Sequence, residues 1–250
     1  MSKKAIPGSI TLLNLLCGCL SATFAFKGQL HYAAFFIIGA TFFDFFDGFF
    51  ARLLNCKSEF GKQLDSLADV VSFGLAPAVI IFHLLNNSVY MPQVIFADEN
   101  LFPYTAFIIT LFSALRLAKF NIDERQTDSF IGLPTPANAI FIAAIPLILW
   151  QYKDSNNIIA EWTRLIFSNF FFLSCLIFLN SFLLIAELPL MSFKFKSYVW
   201  KENKAKYLFF IFSILLLMIL NYIAIPLIII FYIFLSVLIN FAHKKHQIHL

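Results

Sequence analysis

Between residues 44 and 69 the chain reads DFFDGFFARLLNCKSEFGKQLDSLAD. Asp44 and Asp47 fall inside an apolar run over 31–54, long enough to cross a bilayer as a helix. An ionised Asp at the centre of such a span costs about 2.5–3.5 kcal/mol on insertion scales. With Asp65 and Asp69 added, the four carboxylates would cost on the order of 10 kcal/mol unless something neutralises them. Arg52, Lys57 and Lys62 lie toward one end of the run and cannot serve all four. At about 100° per residue, Asp47, Gly48, Ala51 and Arg52 all fall within about 80° of Asp44. Phe42, Phe43, Phe45, Phe46, Phe49 and Phe50 occupy the opposite arc. One face is therefore acids, small residues and an arginine; the other is a wall of phenylalanine. On the next helix Asp65 and Asp69 are one turn apart, with Gly61 a turn earlier. A short loop between the two helices makes them antiparallel neighbours, so the two Asp pairs can face each other.

The remaining sequence agrees with a membrane setting. Of 250 residues, 60% are apolar, 34 are Phe and only 13% are charged, and the mean hydropathy is +0.82. A soluble domain carries about 25% charged residues; here there is too little polar surface to cover a soluble globule. Disorder, collagen-like repeats and a soluble enzyme are excluded. The expected fold is an all-α integral membrane protein. Apolar runs occupy 9–26, 31–54, 67–86, 101–118, 133–152 and 165–186, followed by an uncharged stretch from Tyr207 to Ala242. As one helix that stretch would be about 54 Å long, against a hydrocarbon core of about 30 Å. Asn221-Tyr222 near its centre and Pro226 just beyond predict a helical hairpin instead. The expectation is a polytopic bundle of about eight transmembrane helices, forming one domain over 1–250. Its core would lie at about 5–150 and its C-terminal spans at about 165–242.

Threading eight spans from an inside N-terminus leaves only Lys27, Lys153 and Arg164 outside, of 18 Lys and Arg. So strong a positive-inside bias predicts both termini in the cytoplasm. The 187–206 loop, with five lysines, is expected along anionic headgroups. The N-terminal segment has the charge-then-apolar order of a signal peptide, but its apolar part is long enough to span and reads as a retained first helix. Cys17, Cys19, Cys56 and Cys175 read as buried small hydrophobes, since no second pair completes a metal site. His243, His246 and His249 read as a solvated basic tail, and His31 and His83 as interfacial or core residues.

Four carboxylates converging from two helices make an oxygen-rich anionic site suited to hard divalent cations, Mg²⁺ or Mn²⁺, together with substrate phosphates. Two such metals can clamp a diphosphate. The competing readings are acids paired for structure or lining a cation path. At these residues the sequence resembles the CDP-alcohol phosphatidyltransferase family, whose signature is D-x2-D-G-x2-A-R, a spacer of about eight, then G-x3-D-x3-D. Asp44, Asp47, Gly48, Ala51, Arg52, Gly61, Asp65 and Asp69 fill every signature position. The resemblance implies transfer of a phosphatidyl group from a CDP-linked lipid to an alcohol, with release of CMP. It implies two metals bridged by Asp44 and Asp65, with Asp47 completing one site and Asp69 the other. Asp69 would also be the general base. Gly48 would let the nucleotide approach the helix, Arg52 would hold phosphate, and Ser58 and Gly61 would lie at the CDP moiety. A homodimer is also implied.

IPGSITLLNLLCG at 6–18, LRLAKFN at 115–121 and FIGLPTPANA at 130–139 resemble the phosphatidylserine synthase branch, extending the likeness over roughly 5–150. Gly8 stands where that branch often has Asn, and Lys119 where Arg is common. The substrates implied are CDP-diacylglycerol and L-serine, with membrane lipid around them and no nucleic acid. Arg116 and Lys119 would meet the serine carboxylate at the inner end of the fourth span, with Asn14 and Asn121 nearby; the alternative is positive-inside anchoring. Thr11 and Asn14, one turn apart, read either as headgroup contacts or as helix–helix glue. Gly132–Pro136 reads either as irregular backbone lining a cavity or as a helix start with an early proline. The enzyme would sit in a bacterial cytoplasmic membrane with its site facing the cytoplasm. The rival acceptors, glycerol phosphate and inositol phosphate, would want a denser Arg/Lys cluster beside the aspartates. A carboxylate-lined cation transporter is the rival from another class, and it gives Gly48, Gly61 and the spacing no role.

Overall fold

In the computed structural model, which describes residues 5–56, 58–123, 130–191 and 200–248, the apolar runs become helices bounded by the turn signals of the sequence. Helix α1 (Ala5–Phe26) and helix α2 (Leu30–Leu53) form a closely packed antiparallel pair. Their seam is small: Ala22, Ala25, Ala33, Ala34 and Ala40 are buried there, and Ser21 Oγ donates to Ala33 O at 2.8 Å. Small residues let helix backbones approach where lipid offers no hydrophobic drive to associate. Helix α3 (Glu59–Asp69) begins at Ser58, whose Oγ accepts from Gly61 N at 3.0 Å.

The rod beyond Asp69 widens into a π-helical turn, Val70–Leu75, and resumes as α4 (Ala76–Asn86). Two neighbours press on that turn. A Cβ on Gly18 of α1 would fall 2.7 Å from Ser72 Cα, so only glycine permits this crossing. Ser72 Oγ donates back to Asn14 O at 2.9 Å. On the other side, Thr110 Oγ1 donates to Gly74 O at 3.2 Å. Thr110 belongs to α5 (Ile108–Ile122), which follows a 3₁₀ turn at Phe102–Phe107.

Helix α6 (Thr135–Gln151) carries Pro136 in its first turn. Ahead of it, Gly132 takes φ +76°, and a Cβ there would fall 2.7 Å from Leu184 O. Gly132 N donates to Leu188 O and Leu133 N to Leu183 O, both at 2.9 Å. Both readings of Gly132–Pro136 thus hold in part: irregular backbone as far as Pro134, sealed by protein, then an ordinary helix start.

The expectation of one span over 165–186 is corrected. The chain forms a short helix α7 (Ile158–Phe167) and, after a break at Ser168-Asn169, helix α8 (Phe170–Ile185). Asn169 causes the break, since its side chain accepts from Phe172 N at 3.1 Å and caps a new helix. Two-residue strands pair in the loops, β1 (Ile95–Phe96) with β2 (Glu99–Asn100), and β3 (Phe130–Ile131) with β4 (Pro189–Leu190).

The predicted hairpin is present as α9 (Trp200–Leu220), kinked at Asn203, and α10 (Ala224–Ile248). Asn221 takes φ 50° at its tip. Phe209 stacks on Phe231 at 6.0 Å and Phe212 meets Phe231 at 4.8 Å. In a single straight helix Phe209 and Phe231 would stand about 33 Å apart. Tyr232 Oη donates to Met191 O at 2.9 Å, and Leu133, Leu190, Phe209 and Tyr232 form a small core beneath.

Among the described residues, five helical runs are long and apolar enough to cross a membrane: Ile6–Phe26, Leu30–Leu53, Glu59–Asn86, Phe102–Ile122 and Lys206–Ile239, the last being the folded hairpin. Thr135–Gln151 and Phe170–Ile185 are shorter apolar helices. Leu, Ile and Phe side chains line the outer surface, as a lipid solvent requires, and the chain is a multi-pass helical membrane protein. Cys19 and Cys175, expected inside, are exposed on that surface, while Cys17 and Cys56 are half-buried. Expectations for Lys3, Lys4, Lys57, Arg125, residues 192–199 of the lysine-rich loop and His249 fall outside the described residues.

Candidate active site

Helix rise sets the depth of each acid. Along α2, Asp47 and Asp44 lie about 9 and 14 Å from its C-terminal end. Along α3, Asp65 and Asp69 lie about 9 and 15 Å from its start. Because Leu54–Ser58 joins these two ends, the acids meet at matching levels. The expected facing of α2 and α3 is found at their acids. The two helices run antiparallel and both pack against α1, and a cleft lies between them. Gly48, Ala51 and Gly61 leave the space, and the carboxylates reach across it. One carboxylate oxygen from each of Asp44, Asp47 and Asp65 lies within 4.8 Å of the other two. On the far arc of α2, Phe42, Phe45 and Phe49 are exposed, Phe45 stacks on Phe49, and Phe42 meets Phe46 at a tilt.

Asp69 lies deeper, only 6% exposed, and accepts from Asn14 Nδ2 at 3.1 Å. Its charge is within electrostatic reach of Asp44, Asp65 and Asp47. Helix α1 therefore forms the third wall. Thr11 is buried beside the Asp47 carboxylate, with its hydroxyl donating to Pro7 O at 3.0 Å. Asn14 is held in turn by the bond from Ser72 to its carbonyl. The Arg52 guanidinium folds back over Gly48, about where a Cβ on that residue would meet it at 3.8 Å.

A divalent cation fits this donor set. Every donor is a carboxylate oxygen, the ligand that hard cations prefer. Asp47 Oδ2 and Asp65 Oδ1 are buried and have no hydrogen-bond partner. Among the described residues no Lys or Arg forms an ion pair with the four acids; the pair found is Lys119 with Glu187, at 3.0 Å. Buried anions left in this state call for a cation.

The other residues singled out in the sequence are placed as follows. Ser58 caps α3, with Gly61 directly above its hydroxyl. Arg116 is buried on α5, its guanidinium 5.8 Å from the Phe120 ring centroid, and it feels the charge of Asp69. Lys119 is turned toward Glu187 and away from the cleft. Asn121 is also occupied: its Nδ2 donates to Ser66 Oγ at 2.7 Å, and its carbonyl accepts from Lys62 Nζ at 2.7 Å. These bonds tie the end of α5 to α3. Four polar residues given no role in the sequence, Ser113, Ser181 and, within the quoted FIGLPTPANA stretch, Thr135 and Asn138, are buried close by. Their signal was the one-turn spacing of polar residues within apolar runs, 113 with 116 and 135 with 138. A cavity of about 300 Å³ lined by Phe82, Asn86, Glu99, Asn100 and Tyr104 lies far from the acids. Asn86 is about 25 Å up the rod from Asp69.

A profile of the CDP-alcohol phosphatidyltransferase family matches residues 4–170, and the chain belongs to that family. Among similar proteins, a CDP-diacylglycerol–serine O-phosphatidyltransferase of Bacillus subtilis is 36% identical over 131 residues, covering 52% of this chain and 69% of that one. A protein of the same description from Helicobacter pylori is 34% identical over 148 residues, covering 58% and 59%. An archaetidylserine synthase of Methanothermobacter thermautotrophicus is 35% identical over 145 residues, covering 57% and 58%. The match to the last two thus spans somewhat over half of their length.

Proposed function

We propose that this protein transfers the phosphatidyl group of CDP-diacylglycerol to the hydroxyl of L-serine, giving phosphatidylserine and CMP. The observation that carries the reading is the meeting of Asp44, Asp47 and Asp65 within 4.8 Å, with Asp69 held beside them by Asn14. Serine as the acceptor is supported by the relatives named for serine transfer. Asp44, Asp47, Asp65 and Asp69 would hold two divalent cations, Mg²⁺ or Mn²⁺, which neutralise the diphosphate and the departing phosphate oxygen when bound. Arg52 holds phosphate at the cytoplasmic side of Gly48. Asp69 accepts the proton of the serine hydroxyl as that oxygen forms its bond to the lipid-linked phosphorus. The bond from this phosphorus to the CMP oxygen breaks, CMP departs, and Asp69 returns the proton to water. Asn14, donating to Asp69 Oδ1, keeps that carboxylate aimed. Displacement at phosphorus needs alignment and charge neutralisation more than covalent help from the protein; these residues would supply the alignment, and Arg52 with the cations held by the acids the neutralisation.

The same reading includes one membrane domain with eight crossings, made by α1, α2, α3–α4, α5, α6, α8, α9 and α10, while α7 lies at the surface. Tethers between turns support it. Phe170 N donates to Val89 O at 3.2 Å and Tyr222 N to Gln151 Oε1 at 3.2 Å, at the ends away from the acids. The acid-bearing ends would face the cytoplasm of a bacterial inner membrane, given the positive-inside bias.

The test is CMP release by purified protein in detergent with CDP-diacylglycerol, offered L-serine, glycerol 3-phosphate, inositol phosphate or water. Serine-dependent release is expected, abolished by a chelator, restored by Mn²⁺ or Mg²⁺, and lost in Asp69→Asn. Release with a different acceptor would overturn the substrate, and release with none would overturn the reaction.

A further inference from the structure

Where α5, α6 and α8 meet, five buried side chains carry polar atoms with no hydrogen-bond partner: Ser113 and Arg116 on α5, Thr135 and Asn138 on α6, and Ser181 on α8. Ser113, Thr135 and Asn138 are 0% exposed, and in Asn138 both the amide nitrogen and the amide oxygen are unpaired. Native interiors leave only a few such groups per hundred residues, so five side chains of this kind gathered at one helix junction mark a place built for a polar ligand. The members of each helical pair are one turn apart and share a face.

Contacts bring these faces to a common level. Leu133 N bonded to Leu183 O pins the start of α6 against the end of α8, two residues from Thr135 and two from Ser181. Ser181 lies on the buried stripe of α8 that packs on α5. Ser113 abuts the π turn that follows Asp69, where a Cβ on Gly74 would meet Ser113 Cβ at 3.1 Å. Arg116 lies within reach of the Asp69 charge. The group therefore borders the inner side of Asp69, away from the acid cluster.

We propose that Ser113, Arg116, Thr135, Asn138 and Ser181 form the chamber that reads the acceptor, a small zwitterionic alcohol. Arg116 holds its carboxylate and the Asn138 carbonyl its ammonium. The three hydroxyls complete the remaining bonds, and the acceptor hydroxyl points at Asp69. The assignment rests on the function proposed above and names the residues that select its substrate. Charge balance argues for this ligand. Arg116 is the one cation of the group, because Lys119 is engaged by Glu187. One cation suits a carboxylate and is too little for a phosphate monoester, while a neutral polyol would leave Arg116 buried without a partner.

The test is steady-state kinetics of the purified full chain with CDP-diacylglycerol and Mn²⁺, using L-serine, ethanolamine (no carboxylate) and 3-hydroxypropionate (no ammonium). Asn138→Leu and Thr135→Val are expected to raise KM for L-serine about tenfold or more while KM for CDP-diacylglycerol stays within about twofold. Asn138→Leu is also expected to erase the preference for L-serine over 3-hydroxypropionate. Should Asn138→Leu fail to fold, Thr135→Val and Ser181→Ala, which remove one hydroxyl each at nearly constant volume, decide by the same KM. An unchanged serine KM in folded variants overturns the chamber and leaves the proposed reaction standing. Absence of serine-dependent CMP release in the wild type overturns that reaction and the chamber together.

Discussion

At the scale of single residues, the 3.1 Å bond from Asn14 to Asp69 is the most consequential contact in the cleft. In the proposed reaction Asp69 collects the acceptor's proton, and such a carboxylate needs its orientation fixed by something that is not itself titrating. Partners that aim a metal-site ligand typically contribute 10–100-fold, so Asn14→Leu is expected to lower kcat by about that factor. KM for CDP-diacylglycerol should stay near its starting value, which steady-state kinetics would show. Asp65→Asn removes a donor from the three-carboxylate group, and metal-dependent CMP release is expected to fall below detection while the protein stays folded. The four acids were readable because their spacing repeats the helical turn twice, at 44/47 and 65/69. Asn14 was readable only as a polar residue with two possible roles, since its partner stands 55 residues away. Lys119 and Asn121 show the limit more sharply. Their positions at the inner end of α5 were clear, yet Glu187, Ser66 and Lys62, which engage them, come from other helices and loops.

At the scale of elements, the π turn at Val70–Leu75 is the joint on which the site depends. It lies directly after Asp69, with α1 pressed on one side through Gly18 and α5 on the other through Gly74. Gly18→Ala would force the new methyl against the Ser72 backbone, which cannot move as a side chain could. The expected cost is about 1–3 kcal/mol, read as a lower melting temperature in detergent. Because the same contact carries the Ser72–Asn14 bond, activity should fall along with stability. Gly132→Ala meets a second obstacle, the positive φ together with the Leu184 carbonyl, and should destabilise the junction of α6 with α8. No periodicity announces a π turn, because it inserts its extra residue into an apolar run without changing composition. The break at Ser168-Asn169 was hidden for the same reason, with apolar residues on both sides of one capping Asn. The α9–α10 hairpin was legible, because a helix of that length does not fit the bilayer.

At the scale of the whole molecule, the proposed eight crossings and the positive-inside bias predict a definite sidedness. With the four native cysteines removed, a cysteine restored at position 56 should react with an impermeant maleimide only after cells are opened. Asn156→Cys, in the loop between α6 and α7, should react in intact cells. Labelling of both from the same side would refute the eight-crossing arrangement. The bundle's outer surface was legible from composition alone, since a chain this rich in Phe and Leu has only lipid to face. That α1 takes both α2 and α3 against it and leaves a cleft between them could not be read that way, because α1 and α2 are apolar nearly all round.

That separation of α2 and α3 has a consequence for supply. Drawing a two-tailed lipid wholly out of a bilayer forfeits about 0.8 kcal/mol for each methylene, on the order of 20 kcal/mol for two sixteen-carbon tails. A cleft that stays open between two spanning segments avoids that cost, because the tails remain in the leaflet while the diphosphate slides in from the side. The encounter is then a search in two dimensions, and the effective dose of substrate is its mole fraction in the membrane. Turnover should double when the bilayer is enriched twofold in CDP-diacylglycerol at low fraction, and should not change when inert lipid and substrate are added together in fixed proportion.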